Sequence, residues 1–322
     1  MWLALYTIFG ACGIIGRVKI RPWLQFFRLP NLPTAPGDAL AGAAFFLAAD
    51  GDGLAQAVAA GAAALGFYMF GLADNDIVGV NADAHDNADA RDRADGPERP
   101  LARGDISMRA AHVARALCLA GAFAAGAFAW LPLAWWGAGM ALAGTILAYN
   151  RSKSKWLMGL CRGLNVACGA LAVWRPSCEW PSLCKLACLA VGWTLYIAAV
   201  TKLSEGEERD SNGLGGWRFA WGLAAFVPLG ACAFLPDPRM LLLPSVGSFF
   251  AFLAWCAAVA PLGVAHLSAD RRRAVGRAIG ALLYLQVGYM LVVPGREFLM
   301  IAAALWVASR IVRRLAPEIS GS

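Results

Sequence analysis

Between Asn75 and Gly104 the chain carries six aspartates and one glutamate: Asp76, Asp83, Asp86, Asp89, Asp92, Asp95 and Glu98. Long apolar runs flank this stretch. Carboxylates packed so densely repel one another, and without a counter-charge their segment stays extended. Two partners answer that need. One is the interleaved set Arg91, Arg93, Arg99 and Arg103. The other is a divalent cation. Magnesium takes hard oxygen ligands, often one or two carboxylates together with substrate phosphates. The ligand order of an EF-hand loop is missing, which argues against a dedicated calcium site. From Asp83 to Asp95 an aspartate recurs every third residue, which on a helix draws a drifting stripe rather than a point site. Asn75 and Asp76 close the run GFYMFGLADND and so stand at the mouth of an apolar helix. Carboxylates there are costly unless they face a polar cavity. A solvated loop of mixed charge is the plain alternative.

Cations that would meet an anionic substrate lie further along. Lys153 sits in RSKSK, and Arg162 is embedded at an apolar helix start in LMGLCRGLN, with Asn165 about one turn on. A guanidinium fork suits two phosphoryl oxygens, whereas lysine supplies a point charge. Either residue also satisfies a purely topogenic or lipid-headgroup role. Tyr149 and Tyr196 fall near helix ends, as cavity walls or as interfacial belt residues.

The elements that must position these groups are membrane helices. The chain has 322 residues, of which 59% are hydrophobic and 15% charged. That is too little polar surface for a soluble domain of this length. Apolar runs of spanning length recur at about 34–49, 53–73, 111–130, 132–149, 157–174, 185–201, 216–234, 246–266, 275–293 and 296–311. Backbone groups in such runs must bond internally, and runs of Ala, Leu and Gly without strict alternation are not barrel strands. The expected fold is all-α, a polytopic transmembrane bundle of about nine or ten helices. Residues 1–27 read as an N-terminal apolar or interfacial segment, 28–314 as one transmembrane domain with an acidic loop at 74–107, and 315–322 as a tail.

Charge orients the bundle. With the first span starting in the cytoplasm, the outer side keeps only Arg175, Lys185, Arg239 and Arg296, and the rest of the 28 Lys and Arg lie inside. That is a positive-inside pattern, and it places the acidic loop on the cytoplasmic side of a membrane, in a bacterium the inner one. It also accounts for the net charge of +7 with no appeal to nucleic acid. Most of the nine cysteines, such as Cys118, Cys161, Cys168 and Cys232, read as small buried hydrophobes. Cys178 and Cys184 share the outer segment RPSCEWPSLCK, where a disulfide is one option. No CxxC pattern is present.

These motifs together resemble the UbiA superfamily of intramembrane prenyltransferases, closest in appearance to its poorly characterised EboC-like bacterial members. The family pattern is a helix end, Asn-Asp, two residues, Asp, three residues, Asp, and later Arg-Pro-Leu with a nearby Gly. This chain offers Asn75, Asp76, Gly79 and Asp83, then ERPLARGDIS from Glu98. Gly79 stands at one aspartate position, and Asp86 or Asp89 would substitute for it. NLPTAPGDALAG resembles the start of the first family helix, with Asn31 near the substrate cavity. YNRSKSKWLMGLCRGLNVACG resembles the segment after the fourth helix, with Tyr149, Lys153, Arg162 and Asn165 as the matching polar positions. The second acidic motif of the family follows the sixth helix, where this chain has Glu205, Glu207, Glu208 and Asp210.

The resemblance implies a membrane prenyltransferase. It would transfer an isoprenyl group from an allylic diphosphate donor to a hydrophobic acceptor, aromatic or lipid-like, with Mg²⁺. Asp76, Asp83, Lys153 and Arg162 would be catalytic. Asn31, Asn75, Tyr149, Arg162, Asn165 and Tyr196 would touch substrate. Asn75, Asp76, Asp83, Asp86, Asp89, Glu205 and Glu208 would serve the metal. Membrane lipids are the expected surroundings. The alternatives are a carrier of a small or isoprenoid molecule, or a non-catalytic lipid-binding protein with a degenerate second motif.

Overall fold

A computed structural model of the chain describes residues 20–44, 46, 53–86, 100–174 and 180–205, together with isolated helical positions between 279 and 311. Seven helices fall in the continuous stretches: α1 Ile20–Phe26, α2 Thr34–Ala44, α3 Leu54–Asp86, α4 Met108–Phe128, α5 Leu133–Ser152, α6 Lys155–Val173 and α7 Trp180–Glu205. No strand occurs among the described residues. By length and composition α4, α6 and the Leu54–Val80 part of α3 suffice to cross a membrane, and Leu186–Lys202 of α7 is a shorter apolar stretch. The chain is an all-helical integral membrane protein. The expected spans at 216–234 and 246–266 lie outside the described residues.

Local chemistry sets the helix ends. A short 3-10 turn at Leu29–Asn31 precedes α2, and Thr34 Oγ1 donates to the Asn31 carbonyl at 2.8 Å. Pro36 falls in the first turn of α2, where its missing N–H costs nothing. Ser107 caps α4, its Oγ accepting from the Ala110 amide at 3.2 Å. The turn between α5 and α6 passes through Lys153 at a φ of 52°, a left-handed cap.

The largest departure from the sequence reading is α3. A loop is expected from residue 74, yet the helix runs on to Asp86. The added segment holds no proline to stop it, although its Asn, Asp, Gly and Val are not strong helix formers, so the extension of α3 follows its packed helix rather than propensity. Thirteen residues at 1.5 Å each carry the helix roughly 20 Å further. Of the N-terminal segment the described part is residues 20–27, where Phe26 and Phe27 are buried in the bundle beside Met69, Ala73 and Ile77 of α3.

Small residues let the helices close on one another. A methyl group at Gly42 of α2 would overlap the Val166 carbonyl, and one at Gly169 of α6 would overlap the Ala39 carbonyl. Gly159 and Gly163, a GxxxG pair on α6, lie in the same way against the Thr194 and Ala190 carbonyls of α7. Thus α6 is clamped between α2 and α7 at backbone contact distance. On the other side α3, α4 and α5 interlock through larger groups. Phe67 meets Phe123 edge-on at 5.3 Å, Phe123 stacks on Trp136 at 5.8 Å, and Trp135 is fully buried beside them. Phe128 and Trp130, at the α4–α5 turn, are about nine-tenths exposed, as belt residues at one membrane face would be.

Candidate functional site

Antiparallel packing brings the C-terminal parts of α3 and α5 and the N-terminal parts of α4 and α6 to the same end of the bundle. A cleft opens there, lined by Arg28, Asn75, Tyr149, Asn150, Arg162 and Asn165, with Ala64, Phe67, Leu142 and Ile146 as apolar walls. Four of the residues expected to touch substrate, Asn75, Tyr149, Arg162 and Asn165, therefore meet in one cavity.

Two pairs hold the rim. Asp76, buried on α3, forms an ion pair with Arg28 at 3.5 Å. Lys153 donates through Nζ to Asn75 Oδ1 and lies 5.7 Å from the centroid of the Tyr149 ring, in range of its negative face. Arg28 itself occupies the left-handed region, with φ of 44°. That conformation costs a non-glycine residue on the order of 1–2 kcal/mol and is often kept where a side chain has a task.

Below the rim stands a support. Asp74 is fully buried; its carboxylate accepts from Arg115 Nη1 at 2.8 Å and from Asn150 Nδ2 at 2.9 Å. Asn150 Nδ2 also donates to the Gly71 carbonyl at 3.0 Å. This ties α3, α4 and α5 together at the residue next to Asn75. Arg115→Gln is expected to destabilise the protein by about 1–3 kcal/mol, the cost of a buried acceptor left short of a donor. Thermal unfolding in detergent reads that loss, and unchanged unfolding would show that Asn150 alone satisfies Asp74.

The floor is a second buried carboxylate. Asp38 of α2 is fully buried and forms a 2.9 Å ion pair with Arg162 Nε through Oδ2. Its Oδ1 accepts from Trp193 Nε1 at 2.9 Å and from Gln286 Nε2. Asn165 Nδ2 reaches Oδ2 at 3.5 Å and the Ala35 carbonyl at 2.8 Å. Gln286 also donates to the Thr34 carbonyl at 2.8 Å. It comes this near because Gly37 has no side chain; a methyl group there would overlap the Gln286 amide.

The remaining expected residues are placed differently. Asn31 lies in the 3-10 turn and is not among those lining the cleft. Tyr196 is fully buried in α7, away from the cleft lining. Asp83 and Asp86 belong to the last turns of α3, and Glu205 ends α7. Asp89, Glu208 and Cys178 lie outside the described residues. Sequence reasoning missed Arg28, Asp38, Asp74 and Asn150. Asp38 had a signal, since a lone carboxylate inside TAPGDALAGAA is an intramembrane charge. Asp74 adjoins the Asn-Asp pair. Nothing in the sequence separates Arg28 from the other topogenic arginines.

The fold is UbiA-type. A digeranylgeranylglyceryl phosphate synthase matches it with a TM-score of 0.56 at 15% identity, over 86% of this chain and 98% of its own. A UbiA homologue from Aeropyrum pernix K1 matches with a TM-score of 0.55 at 20% identity, over 85% and 98%. One from Archaeoglobus fulgidus gives a TM-score of 0.51 at 15% identity, over 90% and 98%. No protein-family model and no curated protein matches the sequence.

Proposed function

We propose that the chain is a membrane prenyltransferase, moving an isoprenyl group from an allylic diphosphate to a hydrophobic acceptor of aromatic or lipid-like character. The observation that carries this reading is the cleft, with Arg28, Asn75 and Arg162 set against apolar walls that include Phe67 and Ile146. An allylic diphosphate has the same division: a multiply charged head and an apolar tail. Ionising its C–O bond sends negative charge onto the leaving diphosphate, which Arg28, Arg162 and Lys153 stabilise. The allylic cation left behind faces aromatic and apolar side chains, which favour positive charge and keep water away. The acidic end of the bundle faces the cytoplasm in this reading, across a bacterial inner membrane.

The donors at the rim suit magnesium. Among the described residues no group of three His, Cys, Asp or Glu forms a closed cage. Magnesium does not ask for one, since one or two carboxylates plus substrate phosphates are its usual setting. Asp76 and Asn75 would hold it, with Asp83 and Asp86 next along the same helix. The ion would neutralise charge on the diphosphate.

The test is prenyl transfer by purified protein given labelled geranyl, farnesyl or geranylgeranyl diphosphate and a membrane lipid extract, with Mg²⁺ or with EDTA. Transfer is expected with Mg²⁺ and lost with EDTA. Asp76→Asn removes a charge at nearly constant volume and should lower the rate by about 10–100-fold, the range typical of a lost group around a metal. Full activity in that variant would take Asp76 out of the site, and no transfer from any donor would sink the reading.

A further inference from the structure

We propose that Asp38, a residue far from the acidic segment, is the positioning residue for the diphosphate-binding arginine of this cleft. The proposal rests on the prenyltransferase reading for its ligand, and on the geometry of the Asp38–Arg162 pair for its physical content. Asp38 engages Arg162 at Nε. A guanidinium has five N–H donors in a rigid plane, and a charge contact on its Nε edge leaves the two Nη groups unspent. Among the described residues those groups have no protein partner, and Arg162 lines the cleft that also holds Arg28 and Asn75. Gripped by one edge, the arginine offers the other to two oxygens of an anion.

The surroundings of Asp38 fix that grip. Its carboxylate accepts from Trp193 of α7, from Asn165 of α6 and from Gln286, and pairs in charge with Arg162, so it is held from several elements. Stability alone is a poor reason to keep such a cluster. A buried ion pair is often no better than an apolar pair of the same volume. What the cluster supplies is direction. An arginine free in a cleft loses rotamer entropy when it binds an anion, and one already fixed has lost it on folding. The glycine contacts of α6 with α2 and α7 set the separation at which Arg162, Asn165 and Trp193 reach one carboxylate.

The test uses full-length protein in detergent, with inorganic diphosphate and Mg²⁺ as the probe in isothermal titration. Asp38→Asn keeps the shape and removes the charged grip. It should weaken binding roughly tenfold or more, the scale of a lost interaction with a charged group. Arg162→Lys should lose a similar factor, and the double variant no more than either single one, because both changes remove the same device. Wild-type affinity in folded Asp38→Asn, or losses that multiply in the double variant, would overturn the proposal. A second readout does not depend on the ligand. With ¹⁵N-arginine labelling, the Nε–H signal missing from Arg162→Lys belongs to Arg162. It should exchange slowly with water in the wild type and quickly in Asp38→Asn. If the wild type binds no diphosphate, the prenyltransferase reading loses its support, and unchanged exchange would then overturn the positioning role by itself. Trp193→Phe removes one donor to Asp38 and no charge, which covers the case that Asp38→Asn does not fold. It should lower affinity severalfold, and unchanged affinity would count against the proposal.

Discussion

Arg162→Ala is expected to cost about 3 kcal/mol of stability, the lower end of what breaking a buried ion pair costs. The reason lies in what stays behind. Asp38 is fully buried, and its strongest partner would be gone. Trp193, Gln286 and Asn165 would still donate to it, which keeps the loss from being larger. Adding Asp38→Asn to that variant should recover part of the stability, because the stranded charge disappears. Denaturation midpoints in an SDS titration of the wild type, both single variants and the double variant measure this. Strictly additive losses would mean that the two residues do not act on each other. A surface arginine obeying only the positive-inside rule would show none of these effects.

The second large effect is steric. Gly169→Ala puts a methyl group into the Ala39 carbonyl, a backbone atom that no change of rotamer can move aside. Helices α2 and α6 must then part. Overpacking of this kind costs about 1–3 kcal/mol, occasionally more. The separation should also pull Arg162 and Asn165 away from Asp38, so diphosphate binding should weaken together with stability. Gly144→Ala on α5 is the contrast, since nothing lies within 4 Å of a side chain added there. It should be neutral or stabilising by under about 1 kcal/mol, as a glycine replaced inside a helix usually is. The comparison is read by thermal unfolding and by titration with diphosphate. If Gly169→Ala behaves like Gly144→Ala, the close α2–α6 contact is wrong.

The helical fold was legible because the membrane leaves little choice: runs such as 111–130 and 157–174 are apolar, and their backbone groups must be satisfied locally. Half of the cleft was legible for a related reason. Asn75, Tyr149, Arg162 and Asn165 are polar groups set in apolar runs, which a membrane bundle tolerates only where they face a polar cavity; Arg162 and Asn165 prove to lie mid-way along α6, not at the helix start that the sequence suggests. The deeper network was not legible, because the partners of Asp38 come from residues 162, 165, 193 and 286. Their meeting depends on the rotation and depth of separate helices, which spacing along the chain does not encode. The length of α3 was misjudged because hydropathy marks where a helix leaves the lipid, not where it stops: the apolar stretch closes at Val80, and the helix continues through Asp86.

The uneven packing of the bundle bears on how such a protein can change over generations. Helix α6 is pinned on both sides by glycines against carbonyls, so drift at Gly42, Gly159, Gly163 and Gly169 is closed off regardless of what the protein binds. Helix α5 has room at Gly137 and Gly144, and it also contributes Leu142 and Ile146 to the apolar wall of the cleft. Exchanges of volume on α5 can reshape that wall while the charged floor on α2 and α6 keeps its register. Descendants of one ancestor would then diverge in the tail they admit sooner than in the headgroup they grip.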